Sequence, residues 1–215
     1  MELDMIQRQA PFTRQISSES KYWFKVPVRA VAYVTGDCNY NCGHCYASDF
    51  SREELSIKQY RNIFVKLSNW GVFEIVFLGG EPFARSDFLD IVEEAVILQM
   101  GTKTSTNASY IHKDNVGRIK KYFDCKLQVS LDGANEETND LVRGRGSFKK
   151  TVRGIEQLID AEAHFSIGFV TNAQNYQNLN GIYQFAQERE IDGIHVMRGM
   201  PKGRALHSWK DFVLS

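Results

Sequence analysis

Three cysteines lie within eight residues of one another, in the segment Cys38-Asn-Tyr-Asn-Cys42-Gly-His-Cys45, directly after a hydrophobic stretch. Thiolates this close together can bind three corners of a cube-shaped iron–sulfur cluster and leave the fourth iron open to another ligand. A structural zinc site usually has four protein ligands, often in two C-x2-C pairs, and Cys125 is the only further cysteine. His44 could complete a zinc site only if a compact loop turned it inward. We therefore expect iron rather than zinc.

The composition indicates one catalytic domain. With 215 residues, of which 43% are hydrophobic, the chain can bury one substantial core and need not divide into several domains. The 26 basic and 26 acidic residues cancel, so no overall charge attracts the chain to nucleic acid or to an anionic membrane. No apolar run approaches the ~20 residues that span a bilayer, and the clustered cysteines suit a reducing compartment. We expect a cytoplasmic protein with neither nucleic acid nor membrane as a partner.

The segments that must position the cysteines alternate between strand and helix. Runs that are β-branched, aromatic or continuously apolar predict six strands, at residues 26–34, 72–78, 103–106, 126–131, 165–171 and 194–198. Apolar residues at helical spacing predict the intervening helices, which begin near Ser56, Asp87, His112, Ser147 and Leu179.

Local signals mark several helix ends. Ser56 begins a capping box, and Gly101 is predicted as the C-terminal cap of the second helix. Ser147 is predicted as the N-cap of the fourth helix, after a polar loop that follows Gly133.

Strands that alternate with helices indicate right-handed βαβ units and a parallel sheet. We predict an α/β fold, a partial (β/α)6 TIM-like barrel with a parallel six-stranded sheet, because we expect the length to exclude closure with eight units. Residues 1–25 are predicted as an N-terminal extension and residues 26–215 as the core domain. The polar motifs follow the carboxyl ends of strands, which is where parallel α/β proteins carry their chemistry.

The cysteine spacing, followed at once by the aromatic Tyr46, resembles the cluster-binding loop of the radical S-adenosylmethionine (radical SAM) superfamily. After the second strand, Gly79-Gly80-Glu81-Pro82 looks like that family's glycine-rich motif, which lies along the amino group of the cofactor's methionine. Glycines let backbone carbonyls approach an ammonium closely, and a nearby carboxylate adds complementary charge. Taken alone, this motif would also suit an ordinary tight turn.

After the fourth strand, Ser130 and Asp132, with Arg143 one loop later, resemble the family positions that meet the ribose and carboxylate of the cofactor. A guanidinium fork suits a carboxylate, and a hydroxyl suits a sugar diol. From the residues alone, a turn at Asp132 and a solvated Arg143 remain an alternative.

Further positions are candidates on weaker grounds. Tyr46 is predicted to stack near the cofactor, and the segment from Met197 to Ala205 resembles one that lies beside the adenine in maturases of the superfamily. The other candidates are polar residues at strand ends and one strand histidine, namely Ser105, Thr106, Asn107 and His195, whereas Cys125 is predicted as a small buried hydrophobe.

The resemblance implies a mechanism. Cys38, Cys42 and Cys45 would bind one 4Fe-4S cluster, whose unique iron is chelated by S-adenosylmethionine. One electron would then cleave the sulfonium, and the resulting 5′-deoxyadenosyl radical would take a hydrogen atom from a substrate. No other catalytic residue is assigned.

The motif set is closest to the SPASM/twitch-type peptide and protein maturases, so a ribosomally made peptide is the first choice of substrate. Those maturases carry auxiliary clusters in a cysteine-rich C-terminal domain, for which this sequence lacks the cysteines. A shortened member or a fragment would explain the difference. Implied partners are an electron donor such as flavodoxin or ferredoxin and a separate leader-peptide-binding protein. Two alternatives stay open: a radical SAM step in the biosynthesis of a tetrapyrrole or other cofactor, and a non-catalytic metal-binding module.

Overall fold

The computed structural model describes residues 26–49, 53–123, 126–207 and 209–213. Six parallel strands form one sheet in the order β1-β2-β3-β4-β5-β6. Their bounds are β1 Arg29–Tyr33, β2 Glu74–Leu78, β3 Gly101–Thr106, β4 Leu127–Ser130, β5 Phe165–Thr171 and β6 Gly193–Arg198. The predicted α/β fold with a six-stranded parallel sheet is thus confirmed. The predicted N-terminal extension and Cys125 lie outside the described residues.

Helices connect the strands. They are α1 Ile57–Trp70, α2 Phe88–Ile97, α3 Lys113–Tyr122, α4 Glu136–Arg143, α5 Ser147–Asp160, α6 Leu179–Gln187, α7 Arg204–His207 and α8 Trp209–Phe212. Short 3-10 turns occupy Pro82–Ala84 and Tyr176–Asn178. Within the described ranges, none of these helices is long and apolar enough to cross a lipid bilayer.

The first helix forms as its sequence predicts. The Ser56 side chain accepts a hydrogen bond from the backbone N–H of Gln59, and the Gln59 side-chain oxygen accepts one from the backbone N–H of Ser56. Gly71 adopts a left-handed conformation with φ 93° and ends the helix. Tyr60 and Phe64 are buried on its inner side, so that α1 packs against the sheet.

Two predictions between β4 and α5 were wrong. The polar stretch predicted as a loop contains α4, whose N-cap Asn135 accepts from the backbone N–H of Thr138 at 3.0 Å. Ser147 is the first residue of α5 and does not cap it, because Gly146 occupies the N-cap position. Asp140 of α4 caps the beginning of α5 instead, since its carboxylate accepts hydrogen bonds from the backbone N–H groups of Gly146 and Phe148.

The predicted glycine cap of α2 was also wrong. Leu98 ends the helix and Gln99 takes the left-handed conformation with φ 57°, so the chain has already turned when it reaches Gly101. Gly101 is instead the first residue of β3, where it pairs with Glu74 of β2.

The two faces of the sheet differ in chemistry. The face under the helices is apolar, and Phe77 of β2 packs edge-on against Phe88 of α2 with ring centroids 5.7 Å apart. The opposite face, which we call the inner face, combines polar with apolar residues, since Val76 of β2 pairs with Lys103 of β3 there. There Lys103, Gln128 and His195 line one cavity, as expected for strands whose successive side chains alternate between faces.

Candidate active site

The carboxyl ends of the six strands meet at one edge of the sheet, and a loop follows each of them. The cysteine loop, residues 34–49, follows β1, while Gly79 follows β2, Asn107 β3, Asp132 β4, Asn172 β5 and Gly199 β6. Motifs that are far apart in sequence are therefore brought to one edge, where parallel α/β proteins carry their chemistry.

The three predicted thiols lie in the cysteine loop, and none of them forms a disulfide. Cys38 is exposed, whereas Cys42 and Cys45 are half-buried. The backbone N–H of Tyr40 donates to the Cys38 sulfur at 3.4 Å, and the Cys45 N–H donates to the Cys42 carbonyl at 3.2 Å. Backbone hydrogen bonds thus fix the turn that carries the thiols, and one of the sulfurs, that of Cys38, accepts a hydrogen bond from the backbone.

This donor set fits an iron–sulfur cluster. Burial raises the pKa of Cys42 to about 11; the charge of Arg143 opposes this, and the neighbouring thiols add to it. Crowded thiolates of this kind are stabilised when they bind metal cations. Across the described ranges, no three His, Cys, Asp or Glu side chains converge to hold a single metal ion. Each thiolate of a cube-shaped cluster binds a different iron, so that such convergence is not required.

The loop after β6 supports the cysteine loop from the other end of the sheet. The backbone N–H of Arg204 donates to the Cys45 carbonyl at 2.9 Å, and its guanidinium donates to the Cys42 carbonyl at 2.7 Å. Gly203 has φ +60°, and a Cβ there would lie 2.5 Å from the Cys45 oxygen. The predicted adenine segment therefore packs directly on the backbone of the cluster-binding residues.

The glycine-rich motif packs against the beginning of the cysteine loop. The Gly80 N–H donates to the Thr35 carbonyl and the Glu81 N–H to the Asp37 carbonyl, both at 2.8 Å. A Cβ at Gly80 would lie 2.2 Å from the Asp37 oxygen, so that any side chain would force the two segments apart. The need for glycine here arises from this close approach.

Glu81 is buried, with only 1% of its surface exposed, and it joins the ends of β2 and β3. Its carboxylate accepts from the Thr106 hydroxyl at 2.6 Å, the Asn107 N–H at 2.7 Å and the Phe83 N–H at 3.1 Å. Burial raises the pKa of Glu81 to about 7, although these hydrogen bonds oppose the shift. Asn107 in turn donates to the Asn39 side chain of the cysteine loop at 2.9 Å.

A buried ion pair lies beneath Cys42. The Arg143 Nε atom is 2.7 Å from Asp132 Oδ2, and the other Asp132 oxygen accepts from the Val170 N–H at 2.7 Å. The Cys42 thiol lies 3.9 Å from the Arg143 carbonyl. Among the described residues, none accepts a hydrogen bond from the two terminal nitrogens of Arg143. The two terminal nitrogens of the guanidinium can therefore donate hydrogen bonds to a further anion.

The other predicted residues are more scattered. Ser105 donates to Gln128 Oε1 at 3.1 Å on the inner face, and Ser130 is half-buried at the end of β4. Met197 is 40% exposed on β6. Burial and a hydrogen bond with Tyr33 raise the pKa of Tyr46, which follows Cys45.

Sequence reasoning missed two contributors to this edge. His44 Nε2 lies 3.4 Å from Asp132 Oδ2, so that the histidine between two cysteines faces the buried ion pair. Asn175 donates from its side chain to the Asp132 carbonyl at 3.1 Å and the Val170 carbonyl at 3.0 Å. His44 stood out in the sequence only through its position between cysteines, and no spacing rule connects Asn175 with Asp132.

Comparison with known proteins relates the chain to one family. The family model described as the radical SAM superfamily matches residues 32–186. The mycofactocin maturase MftC of Mycolicibacterium smegmatis is 35% identical over 189 residues, which are 86% of this chain and 48% of that protein. The AdoMet-dependent heme synthase of Methanosarcina barkeri is 29% identical over 82% of this chain and 52% of its own length. The chain thus spans about half the length of the curated relatives it matches.

Solved structures share the fold. Streptococcus suis SuiB bound to the precursor peptide SuiA superposes with a TM-score of 0.72 at 23% identity, over 81% of this chain and 40% of that chain. The chain anSMEcpe with bound AdoMet and the Kp18Cys peptide has a TM-score of 0.70 at 18% identity, over 81% of this chain and 52% of its own.

Proposed function

We propose that this chain, which belongs to the radical SAM superfamily, binds one 4Fe-4S cluster through Cys38, Cys42 and Cys45 and cleaves S-adenosylmethionine reductively. When bound, the cluster would supply an electron and S-adenosylmethionine a sulfonium, whose cleavage would give methionine and a 5′-deoxyadenosyl radical able to remove a hydrogen atom from the substrate. The observation that carries the proposal is a loop of three free thiols lying on a glycine-rich turn and a buried arginine–aspartate pair.

The protein groups at this edge bind and orient S-adenosylmethionine in this proposal. Gly79 and Gly80 present backbone to the methionine ammonium. Arg143 binds the methionine carboxylate with its terminal nitrogens, while Asp132 fixes the plane of that guanidinium. The remaining predicted contacts to the nucleotide and methionine come from Tyr46, Pro82, Ser105, Asn107, Ser130 and Met197.

Glu81 acts in two ways. Its carboxylate places negative charge near the methionine ammonium, and the hydrogen bond that it accepts from the Asn107 N–H supports the Asn39 segment of the cysteine loop. A carboxyl whose pKa lies near 7 loses part of that charge below neutral pH, which would weaken the hold on the ammonium.

A ribosomally made peptide is the proposed substrate. The support is the 35% identity to a protein named as a mycofactocin maturase and the shared fold with SuiB, which was solved with a precursor peptide. The proposal includes residues 26–215 as the core domain and a cytoplasmic location. It also includes a flavodoxin or ferredoxin as electron donor, and a separate protein that binds the leader peptide.

A tetrapyrrole is the second candidate substrate. It is favoured by the 29% identity to an AdoMet-dependent heme synthase, and by 33% identity to an Fe-coproporphyrin III synthase over 79% of this chain. Product analysis separates the two candidates, because a modified peptide and a modified macrocycle differ in mass.

The first test concerns the cofactors. Anaerobically reconstituted protein is incubated with dithionite and S-adenosylmethionine, and 5′-deoxyadenosine is measured by chromatography. We expect product from the wild type and from Cys125→Ala, and none from Cys42→Ala. A protein that holds a full cluster but gives no 5′-deoxyadenosine would favour the non-catalytic module, and bound zinc in place of iron would overturn both enzyme proposals.

The second test concerns the substrate. Candidate precursor peptides and iron coproporphyrin are incubated separately under the same conditions and analysed by mass spectrometry. A mass change in a peptide, absent with Cys42→Ala, supports the maturase. A mass change only in the macrocycle would replace it with the second candidate.

A further inference from the structure

The inner face of the sheet contains a cavity of about 220 Å3 at the amino ends of the strands. Arg29 and Glu74, the first residues of β1 and β2, line it, together with Lys103 and Gln128 further along the strands. The cavity extends along the inner face to Lys103 and Gln128, which lie three and two residues before the carboxyl ends of β3 and β4. None of its lining residues belongs to the cysteine loop or to the glycine-rich motif.

The charges around the cavity do not balance. Three cations, Arg29, Lys103 and Lys126, line it together with a single carboxylate, Glu74. Glu74 is paired with both Arg29 and Lys126, with Lys126 Nζ 3.1 Å from its Oε1 atom. Burial opposes ionisation of Glu74, but Lys126 and Arg29 outweigh it and lower the pKa of this carboxyl. Glu74 is thus an anion that two cations already share.

Lys103, the third cation, takes no part in the ion pairs that Glu74 forms with Arg29 and Lys126. Its neighbours Thr102 and Thr104 point to the helix side, where their hydroxyls donate to the Tyr122 and Phe77 carbonyls. Strand alternation therefore directs Lys103 into the cavity, where it is half-buried. Within the described part of the chain, it has neither an ion pair nor a hydrogen bond. An ammonium that lines a cavity without a counter-charge can bind an anion there.

Gln128 offers a second donor beside it. Ser105 donates to Gln128 Oε1 at 3.1 Å, which leaves the amide N–H groups of Gln128 for another acceptor. Gly168 makes room for this side chain, since a Cβ there would lie 2.8 Å from Gln128 Cδ. An ammonium and an amide donor on one wall match the two oxygens of a carboxylate.

We propose that this cavity binds a carboxylate of the substrate, held by Lys103 and Gln128. Whole-ligand pockets usually measure about 300–1,000 Å3, so a cavity of about 220 Å3 suits one terminal group of a larger molecule. The identity of that molecule rests on the proposed function: for a peptide, the group is either the C-terminal carboxylate or an acidic side chain.

Saturation-transfer NMR on the full, reconstituted chain tests this without substrate, reductant or S-adenosylmethionine. The probes are N-acetylglycinate for a peptide C-terminus, propionate for an acidic side chain, and N-acetylglycinamide as the neutral match. We expect saturable binding of at least one carboxylate and none of the amide. The preferred carboxylate indicates which group of a peptide occupies the site. Because no cleavage is needed, the result stands whether or not the chain turns out to be a radical enzyme.

Variants assign the binding to the cavity. Lys103→Gln should weaken the preferred carboxylate about tenfold, because it removes the charged partner. Lys103→Arg should bind the preferred carboxylate about as well as the wild type does, because it keeps the charge. Lys66→Gln, on the exposed face of α1, should leave the affinity unchanged. Circular dichroism checks the fold, and the arginine variant decides the matter if the glutamine variant does not fold. Equal binding of the amide, displacement by inorganic phosphate at equal concentration, or wild-type affinity in Lys103→Gln would overturn the proposal.

Discussion

Arg143 has only part of its guanidinium occupied by protein, with its Nε atom paired to Asp132 at 2.7 Å. A guanidinium can bind a carboxylate through two parallel hydrogen bonds, whereas a lysine ammonium is a point charge without that fork. Arg143→Lys should therefore weaken S-adenosylmethionine binding about tenfold. Equilibrium dialysis against the reconstituted protein measures it.

The matched control for this change is Arg145→Lys, two residues away and exposed. It should bind S-adenosylmethionine as the wild type does. Unchanged affinity in an Arg143→Lys protein with a normal cluster spectrum would contradict the assignment of Arg143 to the methionine carboxylate.

Glu81 links stability to pH. Its folded-state pKa of about 7 lies above the ordinary value of 4.5, so that the native state holds the proton more tightly than the unfolded chain. This contribution is fully present below about pH 4.5 and is lost as the pH rises through 7, by up to about 3 kcal/mol. Urea unfolding of wild type and Glu81→Gln between pH 5 and 8 measures it.

The comparison between the two proteins isolates the carboxyl. We expect the wild type to lose stability relative to Glu81→Gln as the pH rises across this range. Two parallel stability profiles would show that Glu81 titrates near its ordinary pKa.

At the residue scale, the sequence was most informative where chemistry requires particular residue types. The three cysteines were predicted from their spacing and the glycine-rich motif from its resemblance to a family motif, because a cluster-binding loop and a close backbone approach restrict the residues that can serve. The contacts of His44 and Asn175 with Asp132 were not predicted, because contacts across the sheet edge leave no periodic signal in the sequence.

The loop between β6 and α7 is the element that fixes the cysteine loop from outside. Gly203→Ala would place a side chain in the left-handed region and against the Cys45 carbonyl, 2.5 Å away. We expect a loss of about 1–3 kcal/mol in unfolding free energy. Iron bound per chain after reconstitution should fall as well, because the cysteine loop must move.

Gly193→Ala provides the comparison. Nothing lies within 4 Å of a Cβ at Gly193, and its φ is ordinary, so alanine in β6 should be tolerated with full iron loading. If Gly203→Ala matched Gly193→Ala in both stability and iron content, the packing of this loop on the cysteine loop would be unimportant.

At the element scale, apolar periodicity predicted the strands and most helices. It failed at α4, which has too few apolar residues to show a helical pattern. In α4, buried Val142 and exposed Leu141 are the apolar positions of an otherwise polar stretch, so no helical stripe is visible. The N-cap of α5 was predicted wrongly because Asp140, whose carboxylate accepts hydrogen bonds at the beginning of α5, belongs to the preceding helix. Local sequence rules look for a cap immediately before the helix.

For the whole molecule, cluster binding should be visible as stability. A group that binds the folded chain but not the unfolded one raises the unfolding free energy. Removing the iron with a chelator should therefore lower the melting temperature by at least about 5 °C. Anaerobic calorimetry of loaded and chelated protein measures this.

The control is the triple variant Cys38→Ser, Cys42→Ser, Cys45→Ser, whose melting temperature should be the same with and without chelator. Equal melting temperatures for loaded and chelated wild type would mean that the bound iron does not contribute to the fold.

The contact between Arg204 and the Cys42 carbonyl spans 162 residues of sequence. Each strand of the sheet pairs with the next one along the chain, so the βα units can assemble in the order in which the ribosome delivers them. The thiols emerge early in synthesis, yet their loop gains its last support only after β6 has been made. Iron delivery in the cell is therefore expected to follow the synthesis of β6 and of the segment that carries Arg204.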